Sequence, residues 1–380
     1  MVLDYEMLKL AWWVLIGVLL IGFVITDGMD MGAGALIPFL GKTDEERRVI
    51  INTIAPHWDG NQVWLVTAGG AIFAAWPMVY AAAFSGFYFA MFLALFALFF
   101  RPVGFDYRSK IDDPRWRKSW DWGLFVGGAV PPLIFGIAFG NLLQGVPFYL
   151  DDLMRTHYDG GFFGLLNPFA LLAGVVAVSM TIMHGASWLF MRADKVIADR
   201  ARKVIWLAAL VLIATFSLAG FWLWSSIDGY QIVSMPSTLA NPNPLAKEVE
   251  LVAGGWFANY IQYPWMIAAP TLAYAGALLA LLMALVKRPA LSFLGTSLAQ
   301  TGVILTAGFS MFPFLMPSSI NPNSSLTMWD ATSSELTLTI MFWVAMIFVP
   351  IILSYTLWCY YKMWGRVTVD HVQANSHSLY

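Results

Sequence analysis

Nine stretches of this chain are apolar for long enough to cross a lipid bilayer, and this constrains its fold more than any other feature. A span needs roughly 20 residues of helix, because the hydrocarbon core is about 30 Å thick and an α-helix rises about 1.5 Å per residue. The runs lie at about 8–28, 52–76, 79–100, 122–143, 165–188, 203–225, 263–286, 291–313 and 337–361. Backbone groups in lipid must be bonded within the protein, so such runs read as helices. The expectation is an all-α polytopic membrane protein, a single integral membrane domain over 1–380. Only 12% of its residues are charged, against about 25% in a soluble domain. The net charge of −2 gives no nucleic-acid signal. One cysteine, Cys359, excludes a disulfide framework and any multi-thiolate metal site. Asp4 and Glu6 precede the first run, where a secretory signal needs positive charge, so that run reads as a retained span.

Orientation follows from Lys and Arg, which accumulate on the cytoplasmic side. Segments 29–51, 101–121, 189–203, 287–290 and 362–380 hold 18 of the 21 basic residues; Lys9, Arg155 and Lys247 are the remainder. The two sets alternate across nine spans, which places the N-terminus outside and the C-terminus in the cytoplasm. The outer loops 144–164, 226–262 and 314–336 are rich in Gly, Pro and Asn and read as connectors rather than strands. A short echo links "GVLLIGFVITDG" (17–28) with "GVVAVSMTIMHG" (174–185). It points to two four-helix bundles plus one additional helix, with chance similarity between apolar helices as the competing explanation.

Ionisable residues within spans cost about 2.5–3.5 kcal/mol each on insertion scales and mark function by default. The second span opens "IAPHWDGNQVW". Asp59 lies eleven residues beyond Arg48, roughly 16 Å along a continuous helix, less the effect of a kink at Pro56. Asp27 and Asp30 fall at the cytoplasmic end of the first span. These residues suit a hydrated proton path from Asp27 or Asp30 to Asp59, with His57 as a relay. The competing reading is that Asp59 and Asn61 satisfy backbone groups at a kinked helix start while Asp30 faces water. His184 could ligate a haem or could be a hydrogen-bonded packing histidine. Asp106 and Arg108 read as a surface network, and Asp330 as turn chemistry before the last helix.

The runs "TDGMDMGAG", "RRVIINTIAPHWDGNQVWLVTAGGAIFAAWPMVYAAAFSGFY", "FRPVGFDYRSK", "FGNLLQGVPF", "FPFLMPSS", "SLTMWDATSSELTL" and "HSLY" resemble subunit II of the cytochrome bd ubiquinol oxidases, of the proteobacterial long-chain type. The resemblance implies a bacterial inner-membrane complex that oxidises ubiquinol from the quinol pool and reduces dioxygen to water. It would take protons from the cytoplasm and build a proton-motive force without pumping. It implies that two b haems and haem d sit on subunit I, and that this subunit supports them. A small single-helix accessory subunit and membrane lipids would be further partners, and a ubiquinone can be held structurally on this subunit. The proton-path motif of the family falls on Asp27, Asp30, His57, Asp59 and Trp64. Two alternatives stay open: a proton-coupled secondary transporter, whose acids would also sit in broken helices, and a purely structural membrane subunit.

Overall fold

The computed structural model describes residues 4–375 and 379–380. The first helix, α1 (Tyr5–Leu40), has 36 residues and is capped by the Asp4 carboxylate, which accepts from the Met7 amide at 2.8 Å. A short amphipathic helix, α2 (Asp44–Ile54), follows, and then α3 (Trp58–Ala75), α4 (Pro77–Gly86) and α5 (Tyr88–Tyr107). The long α6 (Pro114–Gln144) is succeeded by α7 (Pro168–Arg192) and α8 (Lys195–Ser226). After the five-residue α9 (Ala258–Gln262) come α10 (Ala268–Leu285), α11 (Pro289–Met311), α12 (Glu335–Lys362) and the short α13 (Val369–Ala374). Eight helical segments among the described residues are long and apolar enough to span a membrane.

The expected second span, 52–76, is not one helix. α2 stops at Ile54 and α3 starts at Trp58, with a turn through Pro56 between them. Asp59 is therefore the second residue of a new helix, and its distance from Arg48 cannot be counted along one axis. Pro56 has no amide hydrogen to continue the helical bonding, so the chain turns there instead of kinking. The first run is longer than expected. α1 continues through "MGAGALIPFL" to Leu40, which puts Asp30 ten residues inside the helix, about 15 Å from its end. The run 79–100 divides at Phe87 into α4 and α5, and α5 extends past Arg101 to Tyr107.

α1 is the central element. It packs against α3, α6, α7, α11 and α12. Its contact with α7 needs glycine on both sides, because a Cβ on Gly32 would sit 2.9 Å from the Gly185 Cα. Small residues allow this close approach where lipid supplies no hydrophobic drive between helices. α6 packs on α5 and α7, α8 on α7 and α10, and α10 on α11. α12 lies at the periphery, largely exposed, against α1 and α3.

The Gly-, Pro- and Asn-rich loops do form strands, contrary to the expectation of simple connectors. β1 (Phe148–Leu150) pairs with β2 (Thr156–Tyr158), β3 (Gly229–Ser234) with β4 (Glu248–Val252), and β5 (Phe314–Met316) with β6 (Leu326–Thr327), all antiparallel. The hairpins are tied into one cap by Val146 N to Pro317 O (2.8 Å) and Val249 N to Asn323 Oδ1 (2.8 Å). Buried Lys247 meets Asp330 at 3.0 Å in the same cap, while Asp330 Oδ1 also accepts the Thr327 amide.

The opposite end carries most of the basic residues. Arg108 and Asp121, both buried, pair at 2.6 Å; Arg47 joins Asp121, and Arg117 joins Asp44. Arg108 is thus an interior ion-pair member rather than part of a surface network. The described residues after α12 cross this end as a strap. Val367 N donates to Arg192 O (2.8 Å), α13 rests on α2, and Asn52 Nδ2 donates to Tyr380 O (2.9 Å).

Candidate functional site

The polar centre of the molecule is built around two acids on α1. Asp27 is 0% and Asp30 1% exposed. Arg101 reaches Asp27 from α5 with both prongs of its guanidinium; Nη1 donates to Oδ2 at 2.9 Å, and Nη2 bonds Oδ1. Arg101 is 2% exposed and also lies over the Trp58 ring, 5.7 Å from its centroid. A carboxylate and guanidinium matched in this way satisfy much of each other's hydrogen bonding, which a buried pair requires. Asp27 is therefore sealed and paired, not the water-facing member of the set.

Asp30 is held differently. Asn61 Nδ2, from the first turn of α3, donates to Asp30 Oδ2 at 2.7 Å. Asp30 Oδ1 is buried and receives no hydrogen bond from the described residues. The Tyr360 hydroxyl, from the end of α12, donates to Asn61 Oδ1 at 2.6 Å. The Tyr360 ring in turn stacks on His57, centroids 4.3 Å apart and planes 16° from parallel. Arg192, on α7, lies between Trp188 and Trp364 at 5.0 and 4.8 Å, and Nη2 donates to Met363 O at 2.6 Å. A buried carboxyl with one oxygen bonded and the other unserved suits a group that exchanges a proton, since neither charge state is fully satisfied.

The five expected path residues do not form one contiguous cluster. Asp27, Asp30 and His57 are buried within the same region. Asp59 is exposed on the outside of α3, with no hydrogen bond or ion pair to the described residues. Trp64 is half-buried and lies flat against α1 at Gly22, where an added Cβ would fall 2.8 Å from its Cδ2. It packs about two turns from Asp30 rather than beside the acids. Arg101 and Tyr360 are site members that sequence reasoning missed. Arg101 carried a signal, an arginine directly following "ALFALFF"; Tyr360 carried none, because its partner Asn61 is 299 residues away.

His184 is fully buried on α7 and uses both ring nitrogens. Nε2 donates to Ile25 O at 2.8 Å, and Nδ1 meets Thr296 Oγ1 at 2.7 Å. It ties α7 to α1 and α11, which is the packing role. The arrangement does not fit an axial haem ligand, which needs a nitrogen free for the metal. Among the described residues no group of three or more His, Cys, Asp or Glu could hold a metal ion.

A family model for cytochrome bd terminal oxidase subunit II matches residues 8–363. The chain belongs to that family. It is 59% identical over 378 residues to cytochrome bd-I ubiquinol oxidase subunit 2 of Escherichia coli K12, covering all of both chains. It is 56% identical over the same length to a probable cytochrome oxidase subunit 2 of Haemophilus influenzae, again covering all of both. A solved bd oxidase of Geobacillus thermodenitrificans shares the fold, with a TM-score of 0.67 at 16% identity over 94% of this chain and 99% of that one. The molecule is thus a multi-pass membrane subunit of a respiratory terminal oxidase. A subunit II implies a subunit I as its partner, in a complex that contains haem. The transporter alternative falls away.

Proposed function

We propose that this chain gives the ubiquinol-oxidising complex part of its route for the protons consumed in reducing dioxygen to water. The observation that carries the reading is Asp30: a buried carboxyl, served on one oxygen only, beside a neutralised Asp27–Arg101 pair. That pair leaves the region with one carboxyl whose charge is not already compensated, and a proton can come and go there with the least rearrangement.

Asp59 fits this scheme as a boundary residue. It is an exposed acid at the start of an apolar helix, and facing subunit I would cover it; the route then passes between the subunits through Asp59, with Asp30 and His57 on the inner side. Trp64 closes the apolar side of the route by packing on α1. The N-terminus lies outside and the C-terminus in the cytoplasm of an inner membrane, so the strap and the basic end face the protons' source. α3 with α4 provides the ninth crossing. α1, α3/α4, α5 and α6 form one four-helix unit, and α7, α8, α10 and α11 the other, with α12 added. The b haems and haem d reside on subunit I; His184, engaged at both nitrogens, is consistent with that division. The accessory single-helix subunit and a structural ubiquinone are further expected components.

The test is Asp30→Asn in the assembled oxidase. Turnover should fall at least tenfold, ~1.4 kcal/mol in activation terms, with haem content retained. Normal turnover would leave the acids with a purely structural role.

A further inference from the structure

We propose that Tyr360 is a positioning residue for proton transfer at Asp30. Its hydroxyl holds the Asn61 amide with the NH2 end toward the carboxylate, so that the orientation of one side-chain amide and the protonation of one acid are linked. The inference rests on the reading of Asp30 as a proton station and adds the device that sets its resting state.

An asparagine amide has a donor end and an acceptor end of nearly equal size, and the partners decide which way it points. Here Asn61 Nδ2 donates to Asp30 Oδ2 and Asn61 Oδ1 accepts from Tyr360. This pattern serves an ionised Asp30. In the reversed pattern a protonated Asp30 would donate to Oδ1, and Nδ2 would donate to the Tyr360 oxygen. The hydroxyl hydrogen of Tyr360 would then lose its acceptor, because Asn61 Oδ1 is the one acceptor it has among the described residues. The tyrosine therefore favours the orientation that serves the charged acid. Rotation about the terminal torsion of Asn61 interconverts the two without moving the backbone.

The remaining neighbours leave this role to the amide. Around Asp30 the charged or titratable groups are Asp27 on its own helix, Arg101 on α5, His57 before α3, His184 and Arg192 on α7, and Tyr360 on α12. Arg101 is committed to Asp27 through both prongs. His184 is committed to Ile25 and Thr296. Arg192 is clamped between two tryptophans and bonded to Met363 O. Gln300 on α11 is uncharged and donates to Met180 O. Asn61 gives Asp30 the only hydrogen bond it receives among the described residues. Reversal of that amide therefore changes the one hydrogen bond that the Asp30 carboxyl receives from the described residues.

The test uses Tyr360→Phe in the complete oxidase. The variant keeps the ring stacked on His57 and removes only the hydroxyl. Two quantities are read against pH. One is the infrared carbonyl band of the protonated carboxyl, assigned by its loss in Asp30→Asn; the other is turnover. The midpoint of the band should move to higher pH by about 1 unit, the scale of one hydrogen bond to a charged group, and the turnover profile should move with it. A merely structural tyrosine would lower yield or rate and leave both midpoints in place, and that result overturns the inference. A band that moves while turnover does not would uphold the linkage of Tyr360 to Asp30 and defeat the proton-station reading instead. Should Tyr360→Phe fail to assemble, Asn61→Ala carries the same test: it removes the donor, so the band should shift in the same direction, and an unmoved band overturns the inference.

Discussion

Replacing Arg101 by leucine should be among the most damaging single changes in this chain, and the reason is Asp27. The two side chains are 2% and 0% exposed and meet through both guanidinium prongs. Removing the arginine strands a buried carboxylate to which no other described side chain donates a hydrogen bond. Breaking a buried pair by deleting one partner costs about 3–5 kcal/mol. The carboxyl can instead take up a proton, and neutralising an ordinary carboxyl at pH 7 costs about 4 kcal/mol, which limits the loss to that order. Replacing both partners with apolar groups avoids either cost, since an isosteric apolar pair is often no worse than the ion pair. The assay is a double-mutant cycle on Arg101→Leu, Asp27→Leu and the double variant. It reads thermal unfolding and haem yield of the purified complex. Arg101→Leu and Asp27→Leu should each lose several degrees of unfolding temperature, and the double variant should recover most of it. A single variant that unfolds within about 1 kcal/mol of the parent, or a double variant no better than the worse single, would refute the reasoning.

Asp59→Asn should cut oxidase turnover at least tenfold, read as oxygen consumption per haem. Assembly should be normal, because its side chain makes no hydrogen bond or ion pair to the described residues. His184→Leu should lower the thermal stability of the complex and leave the haem-to-protein ratio unchanged; a lost haem would reinstate it as a ligand. Burial works against the Glu46 carboxylate, but hydrogen bonds from Arg200 and from the Lys42 backbone amide outweigh it and hold it below the usual range. Its stabilising contribution should therefore be complete above the ordinary glutamate value of about 4.3 and fade as pH falls below that. Thermal scans of the parent against Glu46→Gln should show a difference at pH 6 that closes on acidification.

The helices were legible where a run is bounded by polar or Pro-rich chain: 203–225 lies within α8 and 291–313 matches α11 closely. The errors share a cause. Hydropathy places Asp27 and Asp30 at the end of the first span and Arg101 at the start of a loop, because charge in such a reading signals water. The structure pairs Asp27 with Arg101 and bonds Asp30 to Asn61, so α1 and α5 run on through them. That pairing makes Asp27 deep, while the turn at Pro56 sets Asp59 at the exposed start of α3, reversing the expected order. Tyr360 was hidden for a different reason. Near the end of the last apolar run it reads as one more interfacial aromatic, and only the docking of α12 on α1 and α3 brings it to Asn61. The hairpin cap was masked by short strands, three of which have three residues and one two, below the length at which alternation can be seen.

The central claim is that Asp30 passes protons used in dioxygen reduction. It is tested most directly by mixing the fully reduced complex with oxygen in the presence of a pH-indicating dye, and following proton uptake and haem oxidation together. In the parent the two should proceed with linked rates. In Asp30→Asn the first electron-transfer phase should keep its rate while proton uptake slows at least tenfold. Proton uptake at the parental rate in Asp30→Asn, with haems intact, would contradict the account.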